Sequence, residues 1–369
     1  MKYLYKRAVY PENTDVLSGV NKAAERLEGK LRKVDLTSLP VSDYTKKYLG
    51  YQIKDLSAVL QRYAYIVIWS LGKRPASLKE LVFTDYGGGP SVMWMLAKEL
   101  GMGTVIYNDI YEVSCHDAGV VGEAIGIGAD HYVRGDVDDL KTYLDAHAVT
   151  CRVVASYDVI EHVYDVEAFL KKLCRLSEGP LRLVMASGAN ASNPWIRKKI
   201  VKQHREMEHQ DREAQWGHKE RDCLKAYHVA RKDIISAHAG NLSPEEADHL
   251  ARATRGLMAP DIRKRVDRYL RTGERPPMPA HPTNTCDPYT GNWAEHLMEM
   301  APLIRCLSEE GFQTKLLSGY YPDASNDFRK KGLAHVVNPL ITLLGSKGRM
   351  LAPFHTLVGE RDLHETHAA

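Results

Sequence analysis

The ten residues 81–90 have the sequence LVFTDYGGGP, an apolar run that ends in an acid and three glycines. An apolar run of this length predicts a buried β-strand, and glycines let the backbone turn sharply and approach a ligand closely. Ser91 can cap a helix that runs to Leu100, and Gly101 can end it. The segment therefore predicts the first strand, turn and helix of a nucleotide-binding sheet.

Such a turn can bind a dinucleotide or a ligand with a cationic amino group, and the neighbouring residues favour the second. A dinucleotide site of the type G-x-G-x-x-G, counted from Gly87 and Gly89, requires glycine where the sequence has Val92. Asp85, at the end of the strand, would repel a pyrophosphate but suits a ligand with a cationic amino group. A nicotinamide-dependent oxidoreductase is therefore the less favoured alternative.

The chain from Asp85 to His162 resembles the class I, seven-strand S-adenosylmethionine-dependent methyltransferases, whose first motif is an acid followed by a glycine-rich turn. Ser91 stands where the family usually has its third glycine. The resemblance implies an α/β fold with a Rossmann-like, mostly parallel seven-strand sheet and helices on both faces. Helices are also expected ahead of the first strand, and residues 193–299 depart from the minimal family order as a long, mainly helical insertion after strand 5. S-adenosylmethionine would be the cofactor, bound by Asp85 and by Gly87, Gly88 and Gly89.

The second predicted strand, residues 104–107, leads to Asn108, Asp109 and Ile110. A carboxylate at the tip of this strand can accept two hydrogen bonds from a ribose diol, in dinucleotide enzymes and in methyltransferases alike. We therefore expect Asp109 and Ile110 to contact the cofactor.

The third predicted strand begins at His131 and leads to Gly135, Asp136 and Val137. The resemblance implies that Asp136 accepts a hydrogen bond from the adenine amino group and that Val137 packs on the ring. As an alternative, Asp136 caps the helix that begins near Asp138.

The fourth predicted strand, residues 152–157, continues into the sequence DVIEHV at 158–163. Here the pattern is nearest to ubiquinone-biosynthesis-type small-molecule methyltransferases, in which an acid and a Glu–His pair follow this strand. The resemblance implies that Tyr157 and Asp158 border the cofactor and that Glu161 and His162 are catalytic. Histidine titrates near neutral pH, so His162 is the predicted general base.

A divalent metal is an alternative role for the same segment. In some relatives, and in small-RNA terminal 2′-O-methyltransferases, an acid-x-x-Glu-His segment binds a metal. Asp158, Glu161 and His162 match it, and positions i, i+3 and i+4 share one face of a helix. The resemblance thus implies Mg²⁺ or another divalent metal as an alternative. His218 is the candidate for a further ligand, because the polar loop after Trp216 and Gly217 can fold back over the strand tips. In metal-free relatives, Glu161 merely lies over the cofactor.

Four segments are predicted along the chain. Residues 1–75 form an N-terminal helical cap, with helical apolar spacing over 42–72. Residues 76–192 form the S-adenosylmethionine-binding core, and 193–299 form an insertion of helices and loops that acts as an acceptor lid. Residues 300–369 complete the sheet through helix, strand, helix, strand, with the last two strands antiparallel. The helix at 333–344 is mostly apolar and is expected to pack against the core.

Composition and charge exclude few functions but limit the expected partners and cellular compartment of the protein. The formal net charge of +3 gives no argument for nucleic acid, and the sequence has no uncharged apolar stretch long enough to span a membrane. Its six cysteines form no C-x-x-C pair, which is typical of a reduced, cytoplasmic protein. A non-catalytic cofactor-binding or RNA-associated module that uses the basic insertion is the second alternative.

The predicted function is methyl transfer from S-adenosylmethionine to a small-molecule acceptor, with oxygen favoured over nitrogen as the acceptor atom. The sulfonium already activates the methyl group, so the protein supplies in-line alignment and a base. Neither the identity of the acceptor nor the oligomeric state follows from the sequence.

Overall fold

The computed structural model describes residues 1–11, 14–72, 77–213, 222–281 and 283–362. The chain forms two compact units. The first, called the core unit, comprises residues 1–159 and 167–188 and the chain from 300 onward. The second, called the insertion unit, comprises Ile160–Val166 and Ala189–Glu299.

The core unit is built on a seven-stranded sheet whose order is β3-β2-β1-β4-β5-β7-β6. Neighbours among the first five strands are parallel, whereas β7 runs antiparallel to both β5 and β6. The strands are β1 Val82–Tyr86, β2 Thr104–Asp109, β3 His131–Arg134, β4 Val153–Tyr157, β5 Leu181–Ser187, β6 Gln313–Ser318 and β7 His355–Arg361. This arrangement confirms the predicted fold class and its antiparallel closure.

The α-helices surround the sheet or belong to the insertion. In chain order they are α1 Thr14–Leu31, α2 Asp43–Lys54, α3 Leu56–Leu71, α4 Met93–Leu100, α5 Glu112–Ile125, α6 Val137–Ala146, α7 Val166–Cys174, α8 Pro194–His209, α9 Tyr227–His238, α10 Pro244–Ala253, α11 Ala259–Thr272, α12 Met300–Glu309 and α13 Phe328–Leu343. Among the described helices, none is long and apolar enough to cross a membrane.

The continuous helical spacing at 42–72 corresponds to two helices rather than one. Ser42 caps α2 by accepting a hydrogen bond from the Thr45 amide at 3.2 Å. The break falls at Asp55, whose carboxylate accepts hydrogen bonds from the Ser325 hydroxyl at 2.7 Å and the Asn326 amide at 3.1 Å. These partners stabilise a turn that the local apolar pattern does not reveal.

Helix α13 corrects a second expectation. Ala334 and Ile341 are buried, as a helix packed against the core requires. The Asn338 side chain also joins the core unit, because it accepts a hydrogen bond from the Tyr321 amide and donates one to the Tyr321 carbonyl. Most of the other large apolar residues of this helix are exposed, so only one face packs inward.

The insertion unit has an apolar core of its own, formed by α9, α10 and α11. Its helix α10 begins with a cap at Ser243, which exchanges hydrogen bonds with Glu246. A buried ionic cluster joins α8 to α9, because the guanidinium of Arg231 binds the carboxylate of Glu208. The Thr285 hydroxyl donates to the same carboxylate at 2.8 Å.

Candidate functional site

Asp85 fastens the end of β1 to the start of α4. Its carboxylate is 1% exposed and accepts hydrogen bonds from the Ser91 hydroxyl at 3.0 Å and the Trp94 amide at 3.1 Å. Burial raises the pKa of Asp85 to about 7, although these two hydrogen bonds act in the opposite direction. Asp85, which was predicted to contact the ligand, therefore stabilises the turn through its hydrogen bonds to Ser91 and Trp94.

The glycine turn between β1 and α4 has no room for a side chain at Gly87 or Gly88. Gly87 has a φ of +65°, and a Cβ there would lie 2.7 Å from the Val159 side chain. A Cβ at Gly88 would lie 2.6 Å from the Tyr107 ring. The Tyr107 hydroxyl donates to the Gly89 carbonyl at 2.8 Å, which holds the turn beside β2. Backbone amides thus line the carboxyl end of β1.

Asp109 joins the glycine turn to the end of β2. One carboxylate oxygen accepts from the Gly89 amide at 2.9 Å, and the other accepts from the Tyr111 amide at 2.9 Å. Each carboxylate oxygen can accept a second hydrogen bond, so the residue fits a ribose diol in this position. Its neighbour Ile110 is 49% exposed.

Asp136 caps α6, which confirms the capping alternative. One oxygen accepts from the amides of Asp138 and Asp139, and the Asp139 carboxylate accepts from the Asp136 amide. Val137 is buried. A role for these two residues at the adenine ring stays a prediction.

Asn108 is a positioning residue that the sequence did not single out. Its side-chain amide donates to the carbonyls of Val133 at 3.0 Å and Gly135 at 3.1 Å, which holds the loop after β3 beside β2. A buried amide at the end of a predicted strand was the available signal.

A hydrogen bond and ring contacts also hold the end of β4 in place. Asp158 has a φ of +55°, and its carboxylate accepts from the Gly188 amide at 2.7 Å. The Tyr157 ring packs edge-on against Tyr63, with the Arg62 guanidinium 5.1 Å from the ring centroid. Arg62 and Tyr63 lie on α3 and were not among the predicted site residues.

The geometric reason given for a metal site was wrong. Asp158 has a left-handed backbone conformation, and Ile160–His162 forms a short 3₁₀ turn, so Asp158, Glu161 and His162 do not share a face of an α-helix. His218 lies outside the described residues. Within the described ranges, no group of three or more His, Cys, Asp or Glu side chains could hold a metal ion.

Within the insertion unit, His162 is held by a single carbonyl. Its Nδ1 lies 2.9 Å from the Trp293 carbonyl oxygen. A carbonyl only accepts, so Nδ1 carries the proton and Nε2 of the neutral ring has a free lone pair. That Nε2 lies 4.0 Å from the Glu295 carboxylate. The pair can accept a proton and stabilise the resulting imidazolium.

The surroundings of His162 also include Glu295 and Trp293, neither of which was predicted as a site residue. The His296 amide donates to the Glu161 carbonyl at 3.0 Å, and the Trp293 amide donates to the His162 carbonyl at 3.2 Å. Glu295 has a φ of +61°, an uncommon conformation for a residue with a side chain. These contacts join distant parts of the chain, since His162 and Trp293 are 131 positions apart.

An aromatic stack completes this part of the insertion unit. The Trp293 ring lies 4.2 Å from His296 and 6.2 Å from Tyr164, nearly parallel to both. The Trp293 indole donates to the Tyr164 carbonyl at 3.0 Å. Burial lowers the pKa of His296 to about 4, which keeps that ring neutral. The stack therefore presents uncharged rings beside the His162–Glu295 pair.

No protein-family model matches the sequence, and no curated protein sequence matches it. Among solved structures, the chain is similar to the S-adenosylmethionine dependent methyltransferase from Mesorhizobium loti, with 13% identity, a TM-score of 0.36, and coverage of 78% of this chain and 94% of that one. It is also similar to the plantazolicin methyltransferase BpumL in complex with SAH, with 11% identity, a TM-score of 0.35, and coverage of 93% and 99%. These likenesses concern the fold alone.

Proposed function

We propose that the protein transfers a methyl group from S-adenosylmethionine to a hydroxyl group of a small-molecule acceptor. The observation that carries the proposal is the link between the Gly89 amide and the Asp109 carboxylate. It joins the glycine turn of β1 to an acid at the tip of β2, at the carboxyl edge of a sheet whose order is β3-β2-β1-β4-β5-β7-β6. Ligands of open α/β sheets bind outside this edge.

Each part of the methyl donor has a proposed place in the core unit. Asp109 accepts from the ribose hydroxyls, and Ile110 covers the nucleoside. The amides of Gly87–Gly89 and the end of β4 at Tyr157 and Asp158 border the methionine part. Asp85 acts through the turn that it holds, and Asp136 and Val137 remain the proposed neighbours of adenine.

The sulfonium supplies an activated methyl group, so the protein's own chemical task is to align the acceptor and remove its proton. His162 is the proposed base. Its Nδ1–H is fixed on the Trp293 carbonyl, which leaves Nε2 to accept the proton, and the Glu295 carboxylate stabilises the cation that results. The insertion at 193–299 is the proposed acceptor-binding segment, in which the stacked rings beside His162 suit a planar group.

A nicotinamide dinucleotide remains less favoured. Val92, where a dinucleotide site requires glycine, is fully buried just ahead of α4 and fills the close contact between helix and sheet.

Donor binding is tested by calorimetric titration with S-adenosylmethionine. Asp109→Asn keeps the size of the side chain but loses its charge, and we expect affinity to fall at least about tenfold. The matched control is Asp138→Asn, because Asp138 is an exposed acid on α6. Equal affinity of wild type and Asp109→Asn would remove Asp109 from the site, and no binding by the folded wild type would reject the proposed function.

The base is tested by release of S-adenosylhomocysteine with a panel of hydroxylated small molecules. We expect His162→Ala to lower turnover at least about a hundredfold while affinity for the methyl donor is retained. His147→Ala, at an exposed histidine after α6, is the control. Unchanged turnover of His162→Ala would exclude the histidine as the base without touching the donor site.

A further inference from the structure

Helix α13 carries an exposed apolar ridge, defined as Leu333, Val336, Leu340, Leu343 and Leu344. Their exposed fractions are 47%, 67%, 44%, 81% and 45%. At 100° per residue, the five side chains fall within an arc of about 100°. Soluble proteins rarely expose contiguous apolar surface of this kind unless it meets a partner. Phe328, 78% exposed, and Met350, 54% exposed, extend the apolar surface at either end of the helix.

The charge around the ridge has one sign. From Phe328 to Gly359 the sequence has no Asp or Glu and has five cations, namely Arg329, Lys330, Lys331, Lys347 and Arg349. Lys330 lies 3.2 Å from Asp55, and Asp327 caps the helix at its amino end. At 100° per residue, Arg329 shares the face of the ridge, whereas Lys331 lies on the opposite face. Lys347 and Arg349 follow the carboxyl end of the helix.

The N-terminal segment adds two more cations beside the helix. The Thr342 hydroxyl donates to the Arg7 carbonyl at 3.2 Å, which fixes this segment against α13. Lys6 and Arg7 are exposed and line a cavity of about 200 Å³ together with His335 and Pro339 of the helix. Asp323 also lines that cavity, where it is occupied by a hydrogen bond from the Gln61 amide.

We propose that the ridge docks on an anionic lipid surface, with α13 lying parallel to the bilayer and its apolar side chains inserted among the lipids. Apolar side chains with a basic border are the two features that bind a helix to such a surface. A second copy of this chain fits less well, because pairing two ridges would bring like charges together.

Co-sedimentation with vesicles tests the proposal on the full chain. Phosphatidylcholine vesicles are compared with vesicles that also contain phosphatidylglycerol, at low and high salt. We expect binding to the anionic vesicles that salt weakens. Val336→Glu/Leu343→Glu should lower binding at least about tenfold. Arg329→Gln/Lys347→Gln should lower it by about fivefold per cation on anionic vesicles only.

The matched control is Val229→Glu/Leu270→Glu, which changes exposed apolar residues of α9 and α11 that are 39% and 46% exposed. It should bind as the wild type does, and circular dichroism with thermal unfolding should show each variant folded. Failure of the wild type to bind anionic vesicles, or equal binding by the ridge variant, would overturn the proposal. So would a wild-type dimer, measured by sedimentation velocity, that Val336→Glu/Leu343→Glu converts to monomer.

Discussion

Asp85 in the core unit and Glu208 in the insertion unit are both buried acids, with exposed fractions of 1% and 2%, but their surroundings differ. Asp85 accepts only from a hydroxyl and a backbone amide, and burial raises its pKa to about 7. Burial alone would raise the pKa of Glu208 too, but the charges of Arg231 and Arg255 hold it below the ordinary value.

The difference separates an acid whose charge is compensated by a buried arginine from one that accepts hydrogen bonds from a hydroxyl and a backbone amide. A buried carboxylate matched by a buried guanidinium is fully compensated within its own unit. Asp85 has no cation among its hydrogen-bond partners and lies beneath a backbone turn that would receive a cationic ligand. A carboxyl group whose surroundings raise its pKa to near 7 is typical of binding and catalytic sites.

Glu208→Gln should produce the largest effect. It leaves the fully buried Arg231 without a counter-charge, which should lower the free energy of unfolding by roughly 3–5 kcal/mol. Urea unfolding measures the loss. The control Glu206→Gln changes a half-buried acid of the same helix, paired with Lys202 at 3.6 Å, and should cost no more than about 0.5 kcal/mol. Equal stability of the two variants would show that the ionic cluster is not structural.

Asp85 and Glu208 should respond to pH in opposite directions. The pKa of Asp85 is higher in the folded chain, at about 7, than its ordinary value of 3.8. The folded state therefore binds the proton more tightly, and stability from this group rises as pH falls from 7 to 4. Glu208, with a lowered pKa, stabilises the fold above its ordinary pKa, and this stability is lost at lower pH.

Asp85→Asn removes the pH-dependent contribution of Asp85 to the stability of the fold. Between pH 8 and pH 4 the difference in unfolding free energy between wild type and variant should change by at most about 4 kcal/mol, from the shift of Asp85 at 1.36 kcal/mol per pKa unit. Urea unfolding across this pH range measures it. A constant difference would mean that Asp85 titrates normally and that the contrast with Glu208 does not exist.

Removal of one hydroxyl group that donates a hydrogen bond to each acid should give the smallest effects. Ser91→Ala and Thr285→Val each delete a donor to a buried carboxylate and should cost about 1 kcal/mol. Each hydrogen bond lowers the pKa of its acid, so the variants should raise the pKa of Asp85 and Glu208, respectively. Titration of stability against pH detects both shifts. A larger loss for Thr285→Val would show that the hydroxyl also positions the arginines.

The sequence predicted the sheet well because its strands are short apolar runs bounded by glycine or acid. Asp85, Gly87 and Asp109 could be proposed as site residues because the chemistry of a strand tip depends on adjacent residues. Contacts between distant residues could not be found in this way. The pairing of His162 with Trp293 spans 131 residues, and the Gly188 amide that holds Asp158 lies 30 residues later, directly after β5.

The break at Asp55 illustrates the same physical limit on helices. Apolar periodicity continues across it from α2 to α3, so the pattern predicts one helix. The partners of the Asp55 carboxylate, Ser325 and Asn326, lie about 270 positions later. The same distance explains α13, where the apolar pattern predicted burial but did not tell which face the rest of the chain covers.

The pairing of β5 with β7 has a consequence for synthesis on the ribosome. Leu181–Ser187 must wait for His355–Arg361, almost at the end of the chain, before its second edge is covered. An unpaired apolar edge can join a neighbouring chain, and contacts between distant residues form slowly. The insertion unit, whose apolar core uses residues between 234 and 269, is translated completely during that interval. A nascent chain arrested before residue 355 should therefore carry a folded insertion and an open sheet that binds chaperones.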